Sequence, residues 1–457
     1  MTSDNNIPNN IYFLGIGGIG MSGLARFFLE RGHRVAGFDR NKSELTSNLE
    51  QEGAAIIYED NIQLFPKDWK PDNCLIVRTP AVKNDNQILR HLTENGYPIS
   101  KRAEILGLIT KNMRCLAVAG THGKTTTSSI LTHLCHQGGH KVYGFLGGLA
   151  GNFQSNYVSG EIETVVVEAD EYDRSFLHLR PNIAIITNTD SDHLDIYESA
   201  ENLLKTFGEF AGIAKQNGIV IKRIGLDVQA DFTYGLEEKA DFHATNIRTE
   251  NGGYHFELVT PKGERQKMYF PLAGRHNLEN AVGAAAAAIM DGVPIDQIAA
   301  GMQGFKGVKR RFEKHMENPV LIDDYAHHPT ELEALINTIE EMWPKSNYTL
   351  IFQPHLYSRT KDFLKEFAAT LDKVPHPILL PVYPARELPE HGVDSEEILR
   401  LMKNKNARCI QKEELTNWIE ETKPQVTVIA GAGDIELLIP QVKNCLTKLN
   451  NQKSPYV

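Results

Sequence analysis

Cys115-Leu116-Ala117-Val118-Ala119-Gly120-Thr121-His122-Gly123-Lys124-Thr125-Thr126 is the stretch that decides the fold. An apolar run of strand length meets a glycine-bearing turn, and the turn feeds a stretch of helical length, 125–136. In that order, backbone N–H groups of the turn cradle phosphates. The Lys124 ammonium then neutralises β/γ oxygens, and the Thr125 hydroxyl ligates Mg²⁺. Gly120, Thr121, His122, Gly123, Lys124, Thr125 and Thr126 are therefore the expected ATP-binding residues. The strict phosphate-loop pattern would begin with a glycine at position 118, where Val118 stands. A strand–turn–helix unit of this kind belongs to a parallel α/β sheet.

The same rhythm continues to both sides. Toward the N-terminus, a strand at 11–14 leads into Gly15-Ile16-Gly17-Gly18-Ile19-Gly20, a helix at 22–31 and a strand at 34–39. Glycines there let the backbone approach a diphosphate, and Asp39 stands where a ribose-binding carboxylate would lie. Gly15, Gly17, Gly18, Gly20 and Asp39 are thus nucleotide-binding candidates, with NAD and a UDP-sugar fitting equally well. Toward the C-terminus, a Val-rich strand ends in Glu168-Ala169-Asp170-Glu171-Tyr172-Asp173, and the next ends in Asn188-Thr189-Asp190-Ser191-Asp192-His193. Carboxylates at strand ends beside a phosphate loop are placed to meet nucleotide-bound Mg²⁺. Glu168, nearest the apolar strand, is the favoured ligand, whereas Glu171 and Asp173 read as a solvated acidic turn. His193 is a candidate for a second cation or for orienting substrate. A β-rich excursion at 218–269 precedes a helix at 278–290, whose Ala284–Ala288 run reads as a packing face. Beyond Phe312, strands again alternate with helices. The expectation is an α/β protein of three domains: 1–105, 106–311 and 312–457.

Composition narrows the class. The 457 residues carry 48 Lys plus Arg against 58 Asp plus Glu, a net charge of −10, which argues against a nucleic-acid partner. No apolar run reaches the roughly 18 residues that cross a bilayer. MTSDNNIPNN lacks the basic region and apolar core of a signal peptide. The five cysteines contain no C-x-x-C pair, which excludes a zinc ribbon and fits a reducing cytoplasm. Small-molecule substrates, no nucleic acid and no membrane insertion are the expectation.

The four motifs, in this order, resemble the Mur ligase family, ATP-dependent amide-forming enzymes of bacterial cell-wall precursor synthesis. Later segments agree. Gly274-Arg275-His276-Asn277-Leu278-Glu279-Asn280 resembles the family's G-x-H-N-x-x-N, which implies that His276, Asn277 and Asn280 face ATP. Lys309-Arg310-Arg311-Phe312-Glu313 resembles its R-F-E segment, implying Arg311 at the transferring phosphate. Asp323-Asp324-Tyr325-Ala326-His327-His328-Pro329-Thr330 resembles the D-D-Y-G-H-H-P-T of the alanine-adding branch, with Ala326 for the glycine and Asp324 among the ATP residues. Phe352-Gln353-Pro354-His355, Ser358-Arg359-Thr360 and Gly431-Ala432-Gly433-Asp434-Ile435 match the same branch.

The resemblance spans essentially the whole chain. It implies an N-terminal Rossmann-like UDP-substrate domain, a central P-loop ATPase-like domain and a C-terminal Rossmann-like domain. It also implies UDP-N-acetylmuramate, L-alanine, ATP and Mg²⁺. Lys124 and Arg311 become the fixed cations, Thr125, Glu168 and His193 the metal ligands, and His355 with Arg359 the amino-acid site. Leu356 and Tyr172 depart from the branch, which more often has Arg and Ser there. Three rivals remain. A nicotinamide-dependent dehydrogenase explains Gly15–Gly20 and Asp39 but leaves Lys124 idle. A P-loop binding module explains only Gly120–Thr126. A murein-peptide recycling ligase shares the phosphate loop, but the glycine-rich 15–23 turn and the direct run from Leu179 into Pro181 favour the alanine-adding branch.

Overall fold

Three sheets carry the chain. In the computed structural model, residues 7–161, 164–191, 194–250, 252–344, 346–385, 387–388 and 392–452 are described. The first sheet has β1 (Asn10–Leu14), β2 (Arg34–Phe38), β3 (Ala55–Ile57), β4 (Cys74–Arg78) and β5 (Ile99–Lys101) in the order β3-β2-β1-β4-β5. All its pairings are parallel. The strand order reverses at β1, and ligands bind at such a switch point, outside the carboxyl ends of the strands. Helix α1 (Ile19–Glu30) leaves from that point. It starts three residues earlier than the apolar spacing predicts, because Gly18 and Ile19 already turn.

The second sheet has ten strands: β6 (Arg114–Ala119), β7 (Tyr143–Ala150), β8 (Ser155–Val158), β9 (Thr164–Ala169), β10 (Ile183–Ile186), β11 (Ile219–Arg223), β12 (Phe232–Gly235), β13 (Phe242–Glu250), β14 (Gly253–Val259) and β15 (Arg265–Phe270). They run in the order β15-β14-β13-β12-β11-β10-β6-β9-β7-β8. The β-rich excursion is therefore a continuation of this sheet. Strand β6 lies between β9 and β10, parallel to both, and Cys115–Ala119 are completely buried. A strand covered on both faces reads as an unbroken apolar run, which is why length and the glycine turn after it, not alternation, mark it in the sequence. Helix α2 (Arg102–Thr110) follows β5, and α3 (Lys124–Gln137) follows β6. Helix α4 (Arg275–Met290) buries its alanine run entirely.

The third sheet has β16 (Glu313–Glu317), β17 (Val320–Asp324), β18 (Thr349–Phe352), β19 (His376–Leu379), β20 (Arg408–Cys409) and β21 (Val426–Ala430) in the order β16-β17-β21-β18-β19-β20. Only β16 is antiparallel to its neighbour. The chain divides into two compact units. One comprises 1–249, 255–271 and 279–307, and the other 250–254, 272–278 and 308–457. The first two sheets share the first unit and one core, in which Phe27 of α1 meets Phe145 and Tyr157 at centroid distances of 5.6 and 6.5 Å. Asn156 donates to Ile19 O and to Ser22 Oγ, pinning the start of α1 against the β7–β8 hairpin. No helix among the described residues is long and apolar enough to cross a membrane.

Candidate functional site

The 120–126 loop departs from β6 through two glycines with no substitute. Gly120 has φ +139°, and a Cβ there would stand 2.2 Å from Thr187 Oγ1. Gly123 has φ +81°, and its Cβ would stand 2.6 Å from Asn280 Oδ1. Asn280, on α4, is thereby set against the loop. Val118 lies inside the strand, so the first glycine of the strict pattern has no turn to make. Asn188 Oδ1 accepts from Thr121 Oγ1 at 2.6 Å, tying the loop to the segment after β10.

Lys124 Nζ donates to both Glu171 oxygens, at 2.7 and 3.0 Å, and to Gly120 O at 2.6 Å. Burial by itself disfavours this ammonium. The carboxylates of Glu171, Asp170 and Glu168 outweigh it and hold the lysine pKa above its usual value. Glu171 is completely buried, which corrects the solvated-turn reading. The reason is local backbone geometry. Asp173 and Arg174 adopt left-handed φ of +52° and +54°, and the segment curls so that Phe176 returns to the core. There Phe176 stacks on Phe210 at 4.7 Å. Asp173 keeps the solvated character, paired with Lys101 at 2.7 Å and 38% exposed.

Thr125 Oγ1 donates to Glu168 Oε1 at 3.1 Å, and Glu168 Oε2 accepts from Gly147 N at 2.8 Å. A Cβ on Gly147 would lie 2.3 Å from Glu168 Oε1, so only glycine leaves the carboxylate this room. A hydroxyl beside a carboxylate is a hard-oxygen donor set, and it fits Mg²⁺. His193, the third ligand expected from sequence, lies outside the described residues.

At the other glycine turn, Gly15 has φ +86°, and its Cβ would stand 2.6 Å from Thr79 Cγ2. Asp39 accepts from Gly17 N at 2.7 Å and from Asn41 N at 3.2 Å, so this carboxylate shapes the turn. Gly18 caps α1 without a side-chain bond. Arg102 packs over Gly20, a contact that sequence reasoning missed. Its trace in the sequence is the basic pair Lys101-Arg102, where the last strand of the sheet meets the next helix.

In the second unit, left-handed φ of +61° at Arg310 and +52° at Phe312 turn successive side chains apart. Arg310 goes inward, 3.5 Å from Asp323. Arg311 lies 3.8 Å from Glu331 and 4.9 Å over the Tyr325 ring. Asp324 accepts from Phe312 N at 2.7 Å and Ala326 N at 2.8 Å, while burial, only partly offset by Arg311, raises its pKa to about 6. Burial, with Arg311 adding to it, drives His276 down to about 4 and keeps its ring neutral. Asn277 is spent on its own turn, donating to Ala273 O at 2.7 Å. His355 stacks on Tyr383 at 5.7 Å, and Arg359 Nη1 stands 3.5 Å from His355 Nδ1. Leu356 takes φ +70° where the helix Tyr357–Asp362 begins. The first unit thus gathers Gly120–Thr126, Glu168 and Asn280. The second gathers His276, Arg311 and Asp324, and His355 with Arg359 adjoins them through His327, 6.0 Å from His355 and 3.3 Å from Glu331.

Three family models match successive parts of the chain. Residues 10–114 match the Mur ligase family catalytic domain, 118–288 the Mur ligase middle domain and 310–437 the Mur ligase glutamate ligase domain. A Flavobacterium psychrophilum protein named UDP-N-acetylmuramate–L-alanine ligase is 46% identical over 437 residues, covering 95% of this chain and 97% of its own. The solved UDP-N-acetylmuramate–alanine ligase of Thermotoga maritima superposes with a TM-score of 0.81 at 26% identity, over 97% of this chain and 99% of its own. A murein peptide ligase of Psychrobacter arcticus shares the fold at a TM-score of 0.70 and 22% identity, over 96% and 98% of the two chains.

Proposed function

Because the chain belongs to the Mur ligase family, we propose that it joins L-alanine to the lactyl carboxylate of UDP-N-acetylmuramate at the expense of ATP, a step of peptidoglycan precursor synthesis. The observation that carries this reading is the end-to-end correspondence with relatives of that activity. The family removes the dehydrogenase and binding-module alternatives. Likeness to the murein peptide ligase is one of fold. We assign the UDP substrate to residues 1–105, ATP to 106–311 and the amino acid to 312–457, and the reaction to the cytoplasm, where ATP is supplied.

The chemistry follows from a poor leaving group. A carboxylate does not condense with an amine in water, because oxide or hydroxide would have to depart. Attack of the lactyl carboxylate oxygen on the γ-phosphorus of ATP breaks the β–γ bridge, releases ADP and leaves an acyl phosphate. The amine of L-alanine then attacks the acyl carbon, loses a proton, and phosphate departs. Negative charge collects on phosphate oxygens at each step, so fixed cations and positioning dominate. Lys124 exchanges Glu171 and the loop carbonyls for β/γ oxygens. Arg311 serves the transferring phosphoryl group. Thr125 and Glu168, with His193 on sequence grounds, would hold Mg²⁺, which neutralises phosphate charge when bound. Arg359 pairs with the amino-acid carboxylate in the fork geometry that suits arginine, and His355 lines that site.

The test is phosphate release from ATP with UDP-N-acetylmuramate and a panel of amino acids and peptides. Turnover with L-alanine is expected. Turnover with L-alanyl-γ-D-glutamyl-diaminopimelate and none with L-alanine would leave only the family assignment standing.

A further inference from the structure

The glycine turn at 15–20 is short of free donors. Gly17 N–H is held by Asp39 at 2.7 Å, and Gly18 N–H by Gly15 O at 3.2 Å. Gly15 and Ile16 N–H both donate to Phe38 O, so a diphosphate seated there carries its charge against a backbone that has already spent four of its N–H groups, and a cationic donor is needed nearby. The fold brings one. Arg102 is the first residue of α2, directly after β5, and its Nη1 would be 2.8 Å from a Cβ on Gly20. Its other branch, Nη2, donates to Asp170 Oδ2 at 3.1 Å. Asp170 is itself fixed, with Oδ1 accepting from Tyr172 N at 3.1 Å.

The guanidinium is a planar fork of five donors. Asp170 takes one edge, and the Nη1 edge is left over the turn. As a mere structural ion pair the contact would have little value, since the side chains are 20% and 36% exposed and such pairs are weak. It also would not require the arginine to lie against a glycine of the nucleotide turn.

We propose that Arg102 binds the diphosphate of the UDP substrate and that Asp170 is a positioning residue that fixes the guanidinium plane. The inference rests on the reading that the UDP substrate occupies the 15–20 turn. It links the two nucleotide sites. One short segment holds Arg102 through Asp170 and Lys124 through Glu171, the adjacent residue.

Calorimetric titration of the full chain with UDP, and separately with uridine, tests this. A charge-assisted contact of this kind corresponds to about 10- to 100-fold in affinity. Arg102→Met should weaken UDP by that factor and leave uridine unchanged. Arg102→Lys, which keeps the charge but loses the fork, and Asp170→Asn, which frees the guanidinium, should show smaller losses for UDP alone. UDP affinity equal to wild type in Arg102→Met overturns the proposal. So does a parallel loss of uridine in both Arg102 variants, which marks a damaged turn and not a missing diphosphate contact. Wild-type protein that binds no UDP overturns the underlying reading instead, so the two failures are distinguishable.

Discussion

Removing the ammonium of Lys124 should damage both catalysis and folding, and the two effects should separate on adding a second substitution. Lys124 and Glu171 form a buried pair with contacts of 2.7 and 3.0 Å; the side chains are 14% and 1% exposed. Lys124→Met leaves the Glu171 carboxylate stranded in the interior. Breaking one side of such a pair typically costs about 3–5 kcal/mol. At about 2–4 °C per kcal/mol for a domain of this order of size, the first unfolding transition should fall by roughly 6–20 °C. Lys124→Met/Glu171→Met replaces the pair by apolar groups of similar volume and should recover most of that loss, because neither charge is then buried alone. Catalysis behaves differently. The cation is absent from both variants, and loss of phosphate stabilisation should lower turnover by roughly 10³-fold or more in each. Thermal unfolding followed by far-UV circular dichroism gives the first quantity, and phosphate release the second. A single variant as stable as wild type would refute the buried-pair reasoning. Recovery of turnover in the double variant would remove Lys124 from the phosphate site.

Glu168→Gln should raise the Mg²⁺ concentration needed for half-maximal rate more than it raises KM for the UDP substrate, since a hard cation needs the charge that Gln lacks. An unchanged Mg²⁺ titration would take Glu168 out of the metal set. Gly147→Ala, whose Cβ would stand 2.3 Å from Glu168 Oε1, should reproduce that metal phenotype without touching any charge; normal Mg²⁺ dependence in a folded variant would show that the carboxylate can move at no cost. Burial raises Asp323 to about 7 from an ordinary 3.8, with Arg310 opposing. The folded state therefore holds a proton that the unfolded chain releases, and stability should fall as pH rises from about 4 to 7 and level off above. Asp323→Asn should remove its share of that slope in urea titrations and leave the shares of Asp324, of the same sign, and of His276, of the opposite sign; an unaltered slope would assign it elsewhere. Glycine and L-serine should react slowly beside L-alanine, because a small apolar pocket discriminates single groups by only about 1–3 kcal/mol; complete exclusion of both in competition assays would show polar recognition of the side chain.

The sequence by itself determined the α/β architecture, both glycine turns and the strand–turn–helix unit around Gly120–Thr126. These are local properties. An apolar strand, a turn that needs φ > 0 and a helix start are written in consecutive residues, and Gly120 and Gly123 take the left-handed or strained backbone that the turn implies. The Thr125–Glu168 pairing was also readable, because a parallel partner strand must end beside the loop. Only the tertiary structure decided the rest. Glu171 sits in an acidic run that looks solvated, and its burial depends on two left-handed residues downstream that return Phe176 to a distant aromatic core. Asn277 and Asn280 stand three positions apart in one motif. One closes its own turn while the other faces Gly123, a division set by how α4 leaves Gly274. Arg102 reaches the 15–20 turn because strand order places β5 and α2 beside a loop more than 80 residues earlier in the chain. Hydrophobic period and glycine spacing report the backbone of a segment. Which charged side chains then share a pocket depends on strand order and helix register, and no short stretch of sequence contains these.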